Sequence, residues 1–294
     1  MSTPSPEKMK DLKFAFFGSP QIAVWVLEEL EKSRLLPTLV VTNPDAPQGR
    51  KMILTETPVA QWAYSRKIRT LKPTTLRDNS IEEELKRSAC DLFIVAAYGK
   101  IIPENILNIP KYKTINMHPS MLPKLRGASP IRSAILEDMN PTGISIMILT
   151  AGMDEGPLLT QEKILIPEEA WPIHGNELDE LLAKRGGELL AKTIPEWTLG
   201  NITPQEQAHE EATYSTKITK EMGHIDLAGD PYQNLLKIRA FDGWPGTYFF
   251  TEKAGKQVRI KIIDAELADN GSLKITRVVP EGKKEMSFED FMRS

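Results

Sequence analysis

The chain has 294 residues, with 37 Lys and Arg against 40 Asp and Glu, for a formal net charge of −3. That length predicts about two domains, and 40% hydrophobic with 26% charged residues excludes disordered, collagen-like and disulfide-scaffold chains. A single cysteine, Cys90, excludes an intrachain disulfide and a Cys-rich metal site and fits a reducing compartment. No apolar run approaches the ~20 residues of a membrane helix. The polar start, MSTPSPEKMKD, lacks the apolar core of a secretory signal.

In chain order, residues 12–17 (LKFAFF) read as a short buried strand, followed by Gly18-Ser19-Pro20 and an apolar-periodic helix over 22–30. Ser19 suits the N-cap of that helix and Pro20 its first position, where the missing N–H costs nothing. A strand is predicted at 38–42, a long loop at 43–57, a helix at 58–66 and a third strand at 68–71. Helix 82–88 and the strongly apolar strand 92–97 (LFIVAA) come next, then strand 114–118 (TINMH) and helix 129–137. Strands 143–149 and 158–166 are joined by a short loop, which predicts an antiparallel pair, and 177–194 make a long helix. This alternation of strands and helices predicts a mostly parallel sheet covered on both faces.

Residues 199–211 (LGNITPQEQAHEE) lack apolar periodicity and read as a linker. Beyond them one helix, 231–241, precedes strands near 246–250, 257–265 and 273–279, a helix-poor pattern that suggests a small β-barrel or sandwich. Neither residues 1–208 nor residues 209–294 carry a basic excess, so a nucleic-acid partner requires a local patch. One candidate is Lys253, Lys256, Arg259 and Lys261, in a stretch free of acids through Ile263. On a strand, Arg259 and Lys261 share the face opposite Val258, Ile260 and Ile262. The solvated face of an amphipathic strand accounts for the same pattern.

The candidate chemistry lies at strand ends. In open parallel sheets ligands bind beyond the carboxyl ends of the strands. Strand 114–118 ends in Asn116-Met117-His118-Pro119, and Asn116 and His118, two apart, point to one face. An amide able to donate to a developing oxyanion then sits beside a group able to move a proton near neutral pH. A pair of polar residues closing a strand end explains the spacing as well. A carboxylate to orient His118 is offered by Asp154 or by Glu155, in the Ala151–Pro157 turn, and spacing does not choose between them. Tyr98, in Ala97-Tyr98-Gly99 at the end of strand 92–97, reads either as lining for a flat heteroaromatic ligand or as a buried structural tyrosine. His174, His209 and His224 show no metal-ligand spacing with one another or with Cys90, so no metal is expected. Cys90, preceding a buried strand, reads as packing.

Taken together, Asn116-Met117-His118-Pro119-Ser120-Met121-Leu122-Pro123 with Arg126-Gly127 resembles the N-x-H-x-S-L-L-P…R-G signature of the folate-dependent formyltransferases, and Gly152-Met153-Asp154-Glu155-Gly156-Pro157 resembles that family's second signature. Phe17-Gly18-Ser19-Pro20, Asn43–Arg50, Ile238-Arg239-Ala240-Phe241 with Trp244-Pro245, and Phe288-Glu289-Asp290-Phe291 are similar to the members of the family that act on methionyl-tRNA. The resemblance implies an α/β chain: a Rossmann-like, mostly parallel catalytic domain over 1–198, a linker over 199–211, and an OB-like, tRNA-binding β-barrel domain over 212–294. It implies transfer of a formyl group from 10-formyltetrahydrofolate to the amino group of initiator methionyl-tRNA. Asn116 would donate to the formyl oxygen, and His118 with Asp154 would handle the amine proton. Ala97, Tyr98, Gly99, Ser120, Leu122 and Pro123 would hold the folate. Arg50 and Lys51 in the 43–57 loop, with Lys256, Arg259 and Lys261, would contact the tRNA. The loop carries fewer cations than is usual, with Ala46 where the family typically has arginine. The implied protein is a cytoplasmic, bacterial-type (or organellar) monomer without metal or membrane partner. Two other readings are a sibling acting on the amine of a nucleotide sugar and a catalytically silent tRNA- or folate-binding protein.

Overall fold

The computed structural model describes residues 12–49, 52–253 and 255–293. The chain folds as two compact units, each assembled from more than one segment: residues 1–126, 143–163 and 180–214 in the first, and 127–142, 164–179 and 215–294 in the second.

In the first unit, β1 (Phe14–Phe17) leads into helix α1 (Gln21–Lys32), then β2 (Leu39–Val41). A short hairpin follows, β3 (Ala46–Gln48) against β4 (Ile53–Thr55), inside the stretch predicted as loop. Next come α2 (Pro58–Ser65), β5 (Arg69–Leu71), α3 (Asn79–Arg87), β6 (Leu92–Val95), the single turn α4 (Glu104–Leu107) and β7 (Thr114–His118). The two-residue β8 (Arg126–Gly127) precedes β9 (Thr142–Ile148), β10 (Leu158–Ile164) and α6 (Gly175–Thr198), while helix α5 (Pro130–Leu136), between β8 and β9 in the chain, belongs to the second unit. A two-residue β11 (Tyr214–Ser215) pairs with β8.

The seven-stranded sheet runs β10-β9-β7-β6-β1-β2-β5. The five strands from β7 to β5 are parallel, and β9 turns antiparallel to β7. The predicted antiparallel pairing of β9 and β10 is met: Ile148 N–H donates to Pro157 O, while Gly143 lies against Glu162 O at the far end. Strands β1, β2 and β6 are buried on both faces, which is why they read as unbroken apolar runs rather than alternating ones. One face packs Phe17, Val41, Phe93, Val95 and Tyr98 against Leu85 and Ile106. On the other, Met117 of β7 meets Gly186 of α6, where an added Cβ would lie 2.8 Å from its sulfur. The glycine leaves room there for the Met117 side chain. Cys90 is buried in the first of these clusters, as its packing reading requires.

One local expectation is corrected. Ser19 does not cap α1; Pro20 is the N-cap, with no side-chain bond. The Ser19 hydroxyl instead accepts from Thr42 Oγ1 at 3.2 Å and from Asn43 N–H at 3.1 Å, tying the end of β1 to the end of β2. A tertiary partner therefore displaced the local one. The stretch 199–211 makes contacts of its own. Gln205 and Leu158 exchange backbone hydrogen bonds of 2.9 and 2.7 Å, and Gln207 is 4% exposed.

The second unit holds helix α7 (Pro231–Ala240) and an antiparallel sheet of β12 (Thr247–Lys253), β13 (Lys256–Leu267), β14 (Leu273–Pro280) and β15 (Met286–Ser287), closed by helix α8 (Phe288–Arg293). Its strands lie in linear order. This is the helix-poor antiparallel domain that the strand pattern predicts. Phe249, Ile260, Ile262, Val278 and Phe291 form its core. A bulge near Asp264 shifts the register of β13, so that Ile262 and Ala265, three apart, are both buried. Asp264 receives Arg239 Nη1 at 2.9 Å, and Arg239 also bonds His174 and the Ala265 carbonyl. Arg239 is thereby committed within the unit. No described helix is long and apolar enough to cross a membrane.

Candidate active site

Asn116 and His118 stand at the carboxyl end of β7, on the face opposite Met117. Asn116 pairs in register with Val95 of β6, so the end of β7 adjoins the segment Ala96–Gly99 that leaves β6. Asn116 is 8% exposed, and no hydrogen bond of its amide is found among the described residues. An amide held at a strand end with unused donors suits a ligand oxygen.

His118 is 4% exposed. Its Nε2 lies 2.9 Å from the carbonyl oxygen of Leu125. A carbonyl only accepts, so Nε2 carries the hydrogen and Nδ1 has the lone pair in the neutral ring. That Nδ1 is 3.7 Å from Oδ2 of Asp154. Of the two carboxylates left open by spacing, Asp154 is the one brought to His118. Glu155 is exposed and folds back beside Gly152. Asp154 adopts φ of 50°, a left-handed conformation that Asp tolerates better than most residues. Gly156 fixes the loop from the other side, since an added Cβ would sit 1.9 Å from the carbonyl oxygen of Ile148. Gly156→Ala is therefore expected to displace the loop and to cost ~1–3 kcal/mol, as overpacking typically does. Thermal melting reads this as a fall of several degrees, and an unchanged melting temperature would show that the loop yields freely.

The loop after β7 is held from within. Ser120 Oγ donates to the Lys124 carbonyl at 2.6 Å, and Ser145 Oγ donates to the Ser120 carbonyl at 2.7 Å. Leu122 N–H donates to Ser145 Oγ at 3.1 Å, and Gln161 Nε2 donates to the Leu122 carbonyl at 2.9 Å. Ser120 and Leu122 are buried, and Pro123 is half-buried. Ser120 and Leu122 thus fix the shape of this loop. Sequence reasoning missed Ser145, which lies opposite His118 in the β7–β9 pairing. Its only signal was a serine in an otherwise apolar strand.

At the end of β6, the Tyr98 ring lies in the core, edge-on to Phe17 with centroids 5.6 Å apart. Burial pushes its phenol up to about 12. Of the two readings of Tyr98, its side chain follows the structural one. The segment offers backbone instead. Ala97 and Gly99 are exposed, with φ of 50° and 79°, and the Tyr98 carbonyl is held by Asn43 Nδ2 at 3.1 Å.

Arg50 and Lys51 lie outside the described residues. Around them, Met52, Ile53 and Leu54 are exposed, and Lys72 clamps both roots of the β3–β4 hairpin, reaching Asp45 at 2.6 Å and Glu56 at 3.1 Å.

In the second unit, β12 and β13 pair Tyr248 with Lys261 and Phe250 with Arg259. Arg259 and Lys261 share the face opposite buried Ile260 and Ile262, as their spacing predicts. Lys256 has the other phase, at the start of β13. The aromatic members of this face were not anticipated. The Arg259 guanidinium stacks 3.7 Å above the Tyr248 ring, and Phe250 and His224 lie beside it with centroids 5.6 and 5.9 Å apart from their ring neighbours. Alternation of Tyr248 and Phe250 about Phe249 was the available signal. Among the described residues no group of three His, Cys, Asp or Glu is placed to hold a metal.

An amide donor, an imidazole with a defined tautomer and a facing carboxylate at the end of a parallel strand fit acyl-type transfer to an amine. Comparison with known proteins gives the class. Residues 12–190 match the family model described as formyl transferase, and residues 217–271 match that of its C-terminal domain. The chain belongs to the formyl transferase family. It is 34% identical to methionyl-tRNA formyltransferase of Caldanaerobacter subterraneus subsp. tengcongensis, with 96% of each chain covered. It is 38% identical to the protein of the same name from Thermus thermophilus, with 92% of this chain and 86% of the relative covered. Among solved structures, the N-formyltransferase of Helicobacter canadensis, described in complex with folinic acid and dTDP-3-aminofucose, shares the fold with a TM-score of 0.62 at 19% identity, with 88% of each chain covered.

Proposed function

We propose that this protein transfers the formyl group of 10-formyltetrahydrofolate to the α-amine of methionine esterified to initiator tRNA. The observation that carries the chemistry is the unused Asn116 amide on the same strand face as His118, whose Nδ1 faces Asp154. The amine nitrogen attacks the formyl carbon, the C–N bond to the acceptor forms, and the bond to the folate N10 breaks. Asn116 donates to the formyl oxygen as it becomes anionic. His118, through Nδ1, takes up the proton lost by the amine, and the Asp154 carboxylate compensates the imidazolium. The proton then passes to the departing N10. Backbone at Ala97–Gly99, with the loop shaped by Ser120, Leu122 and Pro123, would hold the folate. No metal is required, since these groups already supply the charge stabilisation and proton transfer.

Residues 1–198 would carry this chemistry, and 212–294 the tRNA contacts, through the face formed by Arg259 and Lys261 and through Lys256 at the start of β13. Arg50 and Lys51 would meet the acceptor end. The protein would act in the cytoplasm as a monomer. The choice of tRNA over a nucleotide amino sugar rests on full-length relatives at 34–38% identity, against a likeness of fold alone for the sugar enzymes. Supplying 10-formyltetrahydrofolate with charged initiator tRNA in one arm and nucleotide amino sugars in the other tests it. Formyl transfer confined to the tRNA is expected, and transfer confined to the sugar would overturn the reading.

Phosphate contacts position a nucleic acid without reading its sequence. Changing Lys256, Arg259 and Lys261 together to Gln is expected to weaken initiator and elongator tRNA alike. It should also flatten the salt dependence of binding by up to ~0.9 per lost phosphate contact. Titrations of both tRNAs at several salt concentrations check this. A loss confined to the initiator would assign these side chains to recognition instead.

A further inference from the structure

His118 and Asp154 come to each other from separate segments, β7 and the 149–157 loop, and a third segment holds both. Gln207 donates through Nε2 to the carbonyl oxygens of Asp154, at 2.9 Å, and Gly156, at 2.7 Å. Its Oε1 accepts from Arg126 Nε at 3.1 Å and Nη2 at 2.7 Å. The amide orientation is forced, because guanidinium only donates and carbonyls only accept. Arg126, itself 2% exposed, directly follows Leu125, whose carbonyl receives His118 Nε2. Six residues after Gln207, Thr213 fixes that same corner. Its Oγ1 accepts from Leu125 N–H at 2.9 Å, and its carbonyl accepts from Arg126 N–H at 2.9 Å.

We propose that Gln207 is a positioning residue for the proton-handling pair: it joins the loop that carries Asp154 to the corner that orients His118, and so fixes the separation of carboxylate and imidazole. The inference rests on the reading of His118 and Asp154 as a proton-handling pair. A side-chain amide is the group this junction needs. Its two N–H groups serve two carbonyls of one loop, while its oxygen serves a guanidinium on the other side. Glutamate at this place keeps the arginine contact and puts an acceptor where two donors were, so it releases the Asp154 loop alone.

The test is a double-mutant cycle on the full-length protein. Gln207→Glu and Gln207→Met are each compared with the parent and then made in an Asp154→Asn background, with kcat and KM measured for formyl transfer from 10-formyltetrahydrofolate to methionyl-tRNA. Misplacement of a reacting group by about 1 Å can cost ~100-fold in rate. The expected result is a ~10–100-fold fall in kcat with KM for either substrate changed less than about threefold. In the Asp154→Asn background the same changes should cost little further, since the residue they position has already lost its charge. The uncharged methionine variant stands in should the glutamate variant not fold. Equal losses in both backgrounds, or a loss confined to KM, would overturn the positioning role while leaving the pair intact. A fully active Asp154→Asn protein would overturn the pair, and the positioning role with it.

Discussion

Asn116→Ala is expected to lower kcat by ~100–1,000-fold, the usual cost of one oxyanion donor, with folate affinity and melting temperature nearly unchanged. The reason lies in what Asn116 does not do. The residue is 8% exposed, yet no hydrogen bond of its amide is found among the described residues, so truncation strands no partner among them. Its position is set by the backbone, through register with Val95 on one side and Met147 on the other. The interaction it supplies is therefore made only with substrate, and most strongly once the formyl oxygen carries charge. Steady-state turnover, folate titration and thermal melting together separate the cases. Near wild-type turnover would remove Asn116 from the chemistry. A large fall in folate affinity with unchanged kcat would make it a ground-state contact.

The second large effect is expected from the His118–Asp154 pair. General acid–base groups contribute ~100–10,000-fold, and groups acting as a unit lose that contribution once, not twice. His118→Ala, Asp154→Ala and the double variant should therefore fall to about the same rate. The two singles should lose stability for different reasons. His118→Ala leaves the Leu125 carbonyl without its ring donor, a loss of ~1–3 kcal/mol where the carbonyl is buried. Asp154→Ala places alanine at φ of 50°, a conformation that Asp tolerates better, so it should cost about 1 kcal/mol through the backbone of its loop. A double-variant rate equal to the product of the two single losses would mean that they act independently.

Much of this site is legible in the sequence because it sits on a strand whose limits the sequence marks well. Residues 114–118 form β7 as predicted, and period-two geometry alone puts Asn116 and His118 on one face. Period two also predicted the Arg259–Lys261 face. What escaped was held by polar contacts distant in sequence. Nothing local shows that Ser19 would turn from α1 to Thr42 and Asn43. The three-residue strands of the β3–β4 hairpin are too short for periodicity to register. The stretch 199–211 lacks an apolar pattern, yet Gln205 and Gln207 tie it into the first unit through hydrogen bonds. The choice between Asp154 and Glu155 turns on the backbone conformation of one loop, where Gly156 packs against the Ile148 carbonyl, and spacing carries no record of that.

The most direct test follows a labelled formyl group from 10-formyltetrahydrofolate in a single turnover with methionyl-tRNA, comparing the parent with Asn116→Ala and His118→Ala. The label is expected on the α-amine of methionine at a rate that both variants reduce by at least ~100-fold. Label that never reaches the amine of methionyl-tRNA, or that reaches it as fast in both variants as in the parent, would contradict the account.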